Sequence, residues 1–103
     1  MYKRGRKEYF VYIMTNKNNT VLYTGVTSNL LERCYKHKTG YYHSSFTKKY
    51  NIHKLVYYEI FNNVEYAISR EKQIKAGSRK KKIELVNNFN KDWKDLYDTL
   101  YPV

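Results

Sequence analysis

With 103 residues, the chain has room for one domain that buries about 65% of the surface of its unfolded form, so we expect residues 1–103 to form a single domain and exclude a second one. Hydrophobic residues make up 42% and one cysteine is present, which argues against disorder and excludes an intrachain disulfide or a zinc site built from thiolates. Lys and Arg number 20 against 9 Asp and Glu, a formal charge of +11, which indicates a polyanionic partner.

The first predicted element is a β-hairpin. Its strands are the β-branched and aromatic runs Tyr9–Met14 and Val21–Val26, and the residues between them, Thr15–Thr20, are turn formers. We expect the pairing to place Tyr12 opposite Tyr23, and directly opposite residues share one face of a sheet. A slip of one residue would separate these two side chains.

A helix is predicted next, over residues 30–38, with Ser28 or Asn29 as its N-cap. The apolar spacing predicts a buried stripe made of Leu30, Leu31, Cys34 and Tyr35. The opposite, open face then carries Arg33, Lys36 and His37.

The second half of the chain completes an α+β fold, a compact α/β sandwich. We expect a loop with one short turn over Tyr41–Lys54 and a third strand over Leu55–Phe61. Two helices should follow, one over Val64–Ala76 closed by Gly77, and one over residues 79–88 capped by Ser78. The predicted architecture is a three-stranded antiparallel sheet flanked by about three helices. Nothing approaches the roughly 20 apolar residues that span a bilayer, so a cytoplasmic protein without membrane contact is expected.

One acidic residue stands out in the helix over Val64–Ala76. The residues Val64, Ala67, Ile68 and Ile74 follow the spacing of one buried stripe, and Glu71 falls on it. A carboxylate there is costly unless a cation, an arginine or a metal compensates it. The alternative is that Glu71 marks the edge of the stripe and pairs with Lys72, Lys75 or Arg33.

The remaining candidates are the two hairpin tyrosines and the pair Arg33 and His37, which lie at i and i+4 of one helix. Arginine can clamp a phosphate with two hydrogen bonds, and histidine or tyrosine can handle a proton. The structural alternative is a packing role for the tyrosines and an inert, exposed His37.

Nucleic acid is the polyanion that the sequence favours, because its 13 tyrosines are interleaved with basic residues and can stack on bases. The alternatives are a solubility role for the lysines, an anionic membrane surface, or a ribosome.

Taken in order, the candidates resemble the GIY-YIG nuclease domain. Phe10–Tyr12 and Tyr23–Gly25 stand where that family has its two named triplets; the motif tyrosines are 11 residues apart, and Arg33 follows the second by 10. Further runs resemble the small stand-alone bacterial subgroup, so that the similarity covers about residues 8–97: Tyr23–Thr27, Phe46–Tyr50, Leu55–Glu59, Arg70–Lys75 and Trp93–Leu96. Phe10 and Thr24 depart from the triplets, and the family's late asparagine could be Asn87, Asn88 or Asn90.

The resemblance implies a divalent-metal-dependent endonuclease that hydrolyses phosphodiester bonds in repair, recombination or nucleic-acid turnover, with DNA favoured over RNA as the expected substrate. By resemblance, Glu71 holds a single Mg²⁺ or Mn²⁺ ion and Arg33 grips the scissile phosphate. Tyr12 is the expected general base and Tyr23 orients water or phosphate, although these roles can be exchanged, and His37 can accept the proton. We therefore expect all five side chains to converge on one concave surface.

Basic residues outside this set would grip the flanking backbone without selecting a base sequence. They are Lys36, Lys48, Lys49, Arg79, Lys80, Lys81 and Lys82. The competing hypothesis is a nucleic-acid-binding module that keeps the fold without turnover. A basic ribosome-associated protein would require the motif pattern to be coincidental.

Overall fold

The computed structural model describes residues 7–40 and 46–100. This part of the chain contains three strands, three longer helices and two short helical turns. In chain order they are β1 (Tyr9–Thr15), β2 (Leu22–Thr27), α1 (Leu30–Lys38), α2 (Phe46–Lys49), β3 (Lys54–Phe61), α3 (Val64–Ala76), α4 (Arg79–Phe89) and a 3₁₀ helix (Leu96–Leu100).

The predicted fold class is confirmed. The strands form one antiparallel sheet in the order β2-β1-β3, with β1 in the centre. The N-caps of α1, α3 and α4 are Asn29, Asn63 and Ser78, whose side chains accept hydrogen bonds from backbone N–H groups of the first turn. The predicted loop Tyr41–Lys54 contains the single turn α2 and the first residue of β3, while its residues 41–45 lie outside the described part of the chain.

The predicted pairing of Tyr12 with Tyr23 is wrong by two residues. Tyr12 lies opposite Gly25, and Tyr23 lies opposite Met14. The turn extends to Val21 because the Asn16 carboxamide oxygen accepts hydrogen bonds from the backbone N–H groups of residues 20 and 21, at 2.8 and 3.1 Å. A shift of two residues keeps side chains on the same face, so the two tyrosines remain neighbours.

The sheet separates two apolar clusters. Under α3 and α4 lie Val11, Ile13, Val56, Tyr57, Ala67, Ile74 and Val86. On the opposite face, under α1 and the 3₁₀ helix, lie Tyr12, Met14, Leu30, Cys34, Ile52 and Leu55. Cys34 is the small core residue that the sequence predicts, and burial raises the pKa of its thiol to about 12.

Two predicted helical stripes need correction. In α1, Tyr35 is 57% exposed, while Arg33 and His37, which were expected on an open face, are partly buried. The inward side of α1 therefore follows the 3, 4, 7 spacing of residues 30, 34 and 37. In α3, Val64 and Ile68 are 42% and 38% exposed, and the buried residues are Ala67, Glu71 and Ile74.

Candidate active site

Tyr12 is a buried residue of the candidate site, and Gly25 on the neighbouring strand leaves space for its ring. The Tyr12 side chain is fully buried and lies against Gly25. A Cβ atom at position 25 would lie 2.5 Å from the Tyr12 hydroxyl oxygen and 2.6 Å from Cζ. The glycine of the second triplet is therefore required by close approach of this ring, and no other residue fits without displacing it.

Arg33 donates a hydrogen bond from Nη1 to the Tyr12 hydroxyl oxygen, at 3.4 Å. Burial is the main reason that the pKa of Tyr12 lies well above its usual range, and the charge of Tyr23 adds to the effect. The Arg33 guanidinium opposes this rise without cancelling it. Tyr12 is therefore a protonated phenol at neutral pH in the protein alone.

Tyr23 and His37 complete a group of neighbouring rings around Tyr12. The ring centroids of Tyr12 and Tyr23 are 6.3 Å apart, and His37 lies 6.4 Å from Tyr12 and 5.8 Å from Tyr23. The hairpin supplies the two phenols, and the inward face of α1 supplies the guanidinium and the imidazole. The structure thus brings together four of the predicted site residues through direct contacts.

Thr47 orients the imidazole and was missed by the sequence interpretation. Its hydroxyl Oγ1 lies 3.0 Å from His37 Nδ1, and only 4% of the surface of Thr47 is exposed. Burial, with a smaller effect of the Arg33 charge, lowers the pKa of His37 to about 4. The imidazole is therefore neutral at physiological pH, with one ring nitrogen unprotonated.

Glu71 approaches from the other side of the sheet, on α3, which packs against β1 and β2. Its side chain is buried, and its carboxylate oxygen Oε2 lies 2.6 Å from the Lys75 ammonium. The hydrogen bond to Glu71 is the main reason that the pKa of Lys75 is raised, and the nearby charge of Tyr23 contributes to the rise. Glu71 is therefore linked to the ring group through Lys75 and the edge strand β2, and the pairing with Lys75 is one of the alternatives that the sequence left open.

A metal ion would have few protein ligands here. Within residues 7–40 and 46–100, no three His, Cys, Asp or Glu side chains come together as a metal-binding group. A single buried carboxylate suits a hard ion such as Mg²⁺, which keeps most of its waters. Lys75 currently compensates the Glu71 charge, and its side chain is 54% exposed, so it can move into solvent when a cation takes its place.

The predicted backbone-binding lysines and arginine differ in their surroundings. Lys36 pairs with Glu32 at 3.6 Å, and Lys82 donates from Nζ to the Gly77 and Lys75 carbonyl oxygens at 2.6 and 3.3 Å, which closes the end of α3. The other residues predicted to bind the nucleic-acid backbone have exposed side chains on α2 and α4. They are Lys48, Lys49, Arg79, Lys80 and Lys81.

Two of the three candidate late asparagines have structural partners. Asn87 accepts a hydrogen bond from Trp93 Nε1 at 2.7 Å, and Asn90 donates to the carbonyl oxygens of Val56 and Lys94. These contacts fasten the end of α4 to β3 and to the segment that follows.

The chain is similar to a known catalytic domain and to several small proteins. The model of the GIY-YIG catalytic domain matches residues 8–84. A UPF0213 protein of Syntrophus aciditrophicus is 38% identical over 77 residues, which cover 75% of this chain and 87% of that relative. A UPF0213 protein of Clostridium perfringens is 39% identical over 79 residues, 77% of this chain and 83% of that relative.

A solved structure gives the same result for the fold. The solution NMR structure of a UPF0213 protein from Bacillus halodurans superimposes with a TM-score of 0.55 at 27% identity, over 92% of this chain and 99% of that one. The resemblance drawn from the motif spacing is therefore confirmed. In the described part of the chain, none of the helices has the length and apolar character needed to cross a membrane.

Proposed function

Because this chain belongs to the family of GIY-YIG catalytic domains, we propose that it is a divalent-metal-dependent endonuclease that hydrolyses phosphodiester bonds. DNA is the proposed substrate, in repair, recombination or nucleic-acid turnover. The observation that supports this function best is the contact group of Tyr12, Tyr23, Arg33 and His37, with the buried carboxylate of Glu71 held ready by Lys75. These are the groups that a phosphodiester hydrolase needs around one phosphate.

In this proposal Arg33 binds the scissile phosphate and neutralises charge that develops on its oxygens. The guanidinium is held toward the site by its contact with the Tyr12 hydroxyl. Glu71 would hold Mg²⁺ or Mn²⁺ once Lys75 releases it, and the ion would supply further positive charge at the phosphate. Lys75, displaced from the carboxylate, would then extend into solvent.

Proton transfer is assigned to Tyr23 and His37 rather than to Tyr12, which exchanges the expected roles of the two tyrosines. The raised pKa keeps Tyr12 protonated at neutral pH, so its hydroxyl can donate a hydrogen bond but is not available as a general base. Tyr23 is only partly buried and lies beside the neutral His37 imidazole. The proposal requires the His37 tautomer in which Nδ1–H donates to the Thr47 hydroxyl. Nε2 is then the proton acceptor, directly or through the Tyr23 hydroxyl.

The test is cleavage of a panel of labelled DNA and RNA structures in Mg²⁺, Mn²⁺ and EDTA. Glu71→Gln keeps the size of the side chain and removes its charge, so we expect cleavage to fall about a thousandfold or more, since the charge supplied by a metal is worth several kcal/mol. Binding should survive. Glu65→Gln, the same change at an exposed position of α3, is the matched control and should cut like the wild type.

Two outcomes would overturn the proposal. If the wild type cuts nothing on the panel and Glu71→Gln binds identically with and without Mg²⁺, the chain is a binding module on this fold. If Glu71→Gln unfolds while Glu65→Gln does not, the pair of Glu71 with Lys75 is purely structural.

A further inference from the structure

Three aromatic rings form a row that leads from the candidate site to the surface. The Tyr23 ring stacks on Phe46 with centroids 6.3 Å apart and an interplanar angle of 28°. Phe46 in turn contacts Tyr50 at 4.7 Å. Phe46 is 49% exposed and Tyr50 is 40% exposed, so the outer part of this row offers aromatic surface to a ligand.

Positive charge lies beside the outer ring. The Lys49 ammonium sits 5.4 Å from the centroid of the Tyr50 ring, and Lys48 is its neighbour on α2. Aromatic rings on which bases stack, flanked by cations that follow the backbone, are the means by which proteins bind single-stranded nucleic acid. An apolar peptide would gain nothing from the lysines, and a bare phosphate would gain nothing from the rings.

We propose that Phe46 and Tyr50 form a binding site for an unpaired nucleobase, adjacent to the phosphate that the candidate site attacks. This inference rests on the proposed function for the placement of the scissile phosphate. In an intact duplex the faces of each base are covered by its neighbours, so a base reaches an aromatic ring only where the strand is single or locally unpaired. The substrate class is therefore single-stranded or locally opened nucleic acid.

The row also connects base binding to the site. Phe46 touches Tyr23, and Thr47, the next residue of α2, holds His37. A base stacked on the outer rings would thus order the same turn of helix that positions the imidazole. The competing explanation is that Phe46 and Tyr50, one helical turn apart, pack on each other only to stabilise α2.

The experiment measures equilibrium binding in EDTA, where no cleavage occurs, with a fluorescent single-stranded DNA oligonucleotide and the duplex of the same sequence. Tyr50→Leu removes the ring and keeps an apolar side chain, whereas Tyr50→Phe keeps the ring and is the matched control. We expect Tyr50→Leu to weaken single-strand binding by about 5- to 150-fold, the range expected for one lost base stack. Duplex binding should stay unchanged, and Tyr50→Phe should bind like the wild type.

A second measurement uses only the wild type. Single abasic sugars are placed in turn along the single-stranded probe, and one or two adjacent positions should show the same loss of affinity. A flat profile overturns the proposal, as does an equal loss for single strand and duplex in Tyr50→Leu, or unchanged binding in that variant. Because both readouts are binding in EDTA, they can succeed when no cleavage is found, and they can fail for an active nuclease.

Discussion

Replacing Gly25 with alanine tests the packing on which the candidate site is built. The new methyl group would lie 2.5 Å from the hydroxyl oxygen of Tyr12 and 2.6 Å from its Cζ. Nonbonded carbon atoms normally pack about 3.5–4.0 Å apart. The Tyr12 ring must therefore retreat by about 1 Å, although it is fully buried and holds Arg33. Overpacking of this kind costs about 1–3 kcal/mol, and a misplacement of about 1 Å in a catalytic site costs about 100-fold in rate.

Thermal unfolding and cleavage rate should both respond. We expect the midpoint of unfolding to fall by roughly 5–20 °C, at about 4–8 °C per kcal/mol for a domain of this size. Gly77→Ala is the control, because a Cβ atom there meets its nearest neighbour at an ordinary 3.4 Å and φ is −76°. If Gly25→Ala unfolds and cuts like Gly77→Ala, the Tyr12 ring does not lie over residue 25 and the geometry of the site is wrong.

Three further outcomes follow from the contacts of α1, α2 and α4. Thr47→Val removes the hydroxyl 3.0 Å from His37 Nδ1. The rate of turnover at saturating substrate should fall about tenfold, which corresponds to the free energy of one hydrogen bond. Thr47→Ser should restore the rate. Because the pKa of His37 is lowered from 6.5 to about 4, the unfolded chain binds more protons than the folded protein between these two pH values. The free energy of unfolding, measured in urea, should therefore decline as pH falls through that window. His37→Gln should remove this part of the decline. Lys82→Ala breaks the contacts with the carbonyl groups at the end of α3 and should lower the free energy of unfolding by about 1–2 kcal/mol. Lys80 is exposed, so Lys80→Ala should leave stability unchanged. It should instead reduce the dependence of log Kd for DNA on log salt concentration by about one.

Much of the fold is predictable from the sequence because its elements carry strong local preferences. The bounds of α3 agree with the prediction at both ends, where Asn63 provides the N-cap and Gly77 ends the helix. The 3₁₀ helix and α2 were not predicted as helices, since each is a single short turn without an apolar period of its own.

The hairpin register shows where local preference stops being sufficient. The composition of the turn predicts a hairpin, but its length depends on the hydrogen bonds that the Asn16 side chain makes across it. The alternation of side chains still places Tyr12 and Tyr23 on one face, because the error was two residues and not one. The contact of Tyr12 with Gly25 could not be predicted from the mistaken register.

The errors within helices have a common physical origin in the assumption that polar side chains face water. Arg33 and His37 are turned toward the sheet, where each is compensated by a specific neighbour: the Tyr12 hydroxyl for the guanidinium and Thr47 for the imidazole. Glu71 could be identified from sequence because a carboxylate on an apolar stripe is costly, whereas a threonine in a segment without period gives no comparable indication. Buried polar groups need hydrogen-bond partners, and here other elements of the fold supply them. Sequence periodicity therefore misplaces the residues whose inward orientation depends on contacts between elements. A catalytic site is built from such contacts.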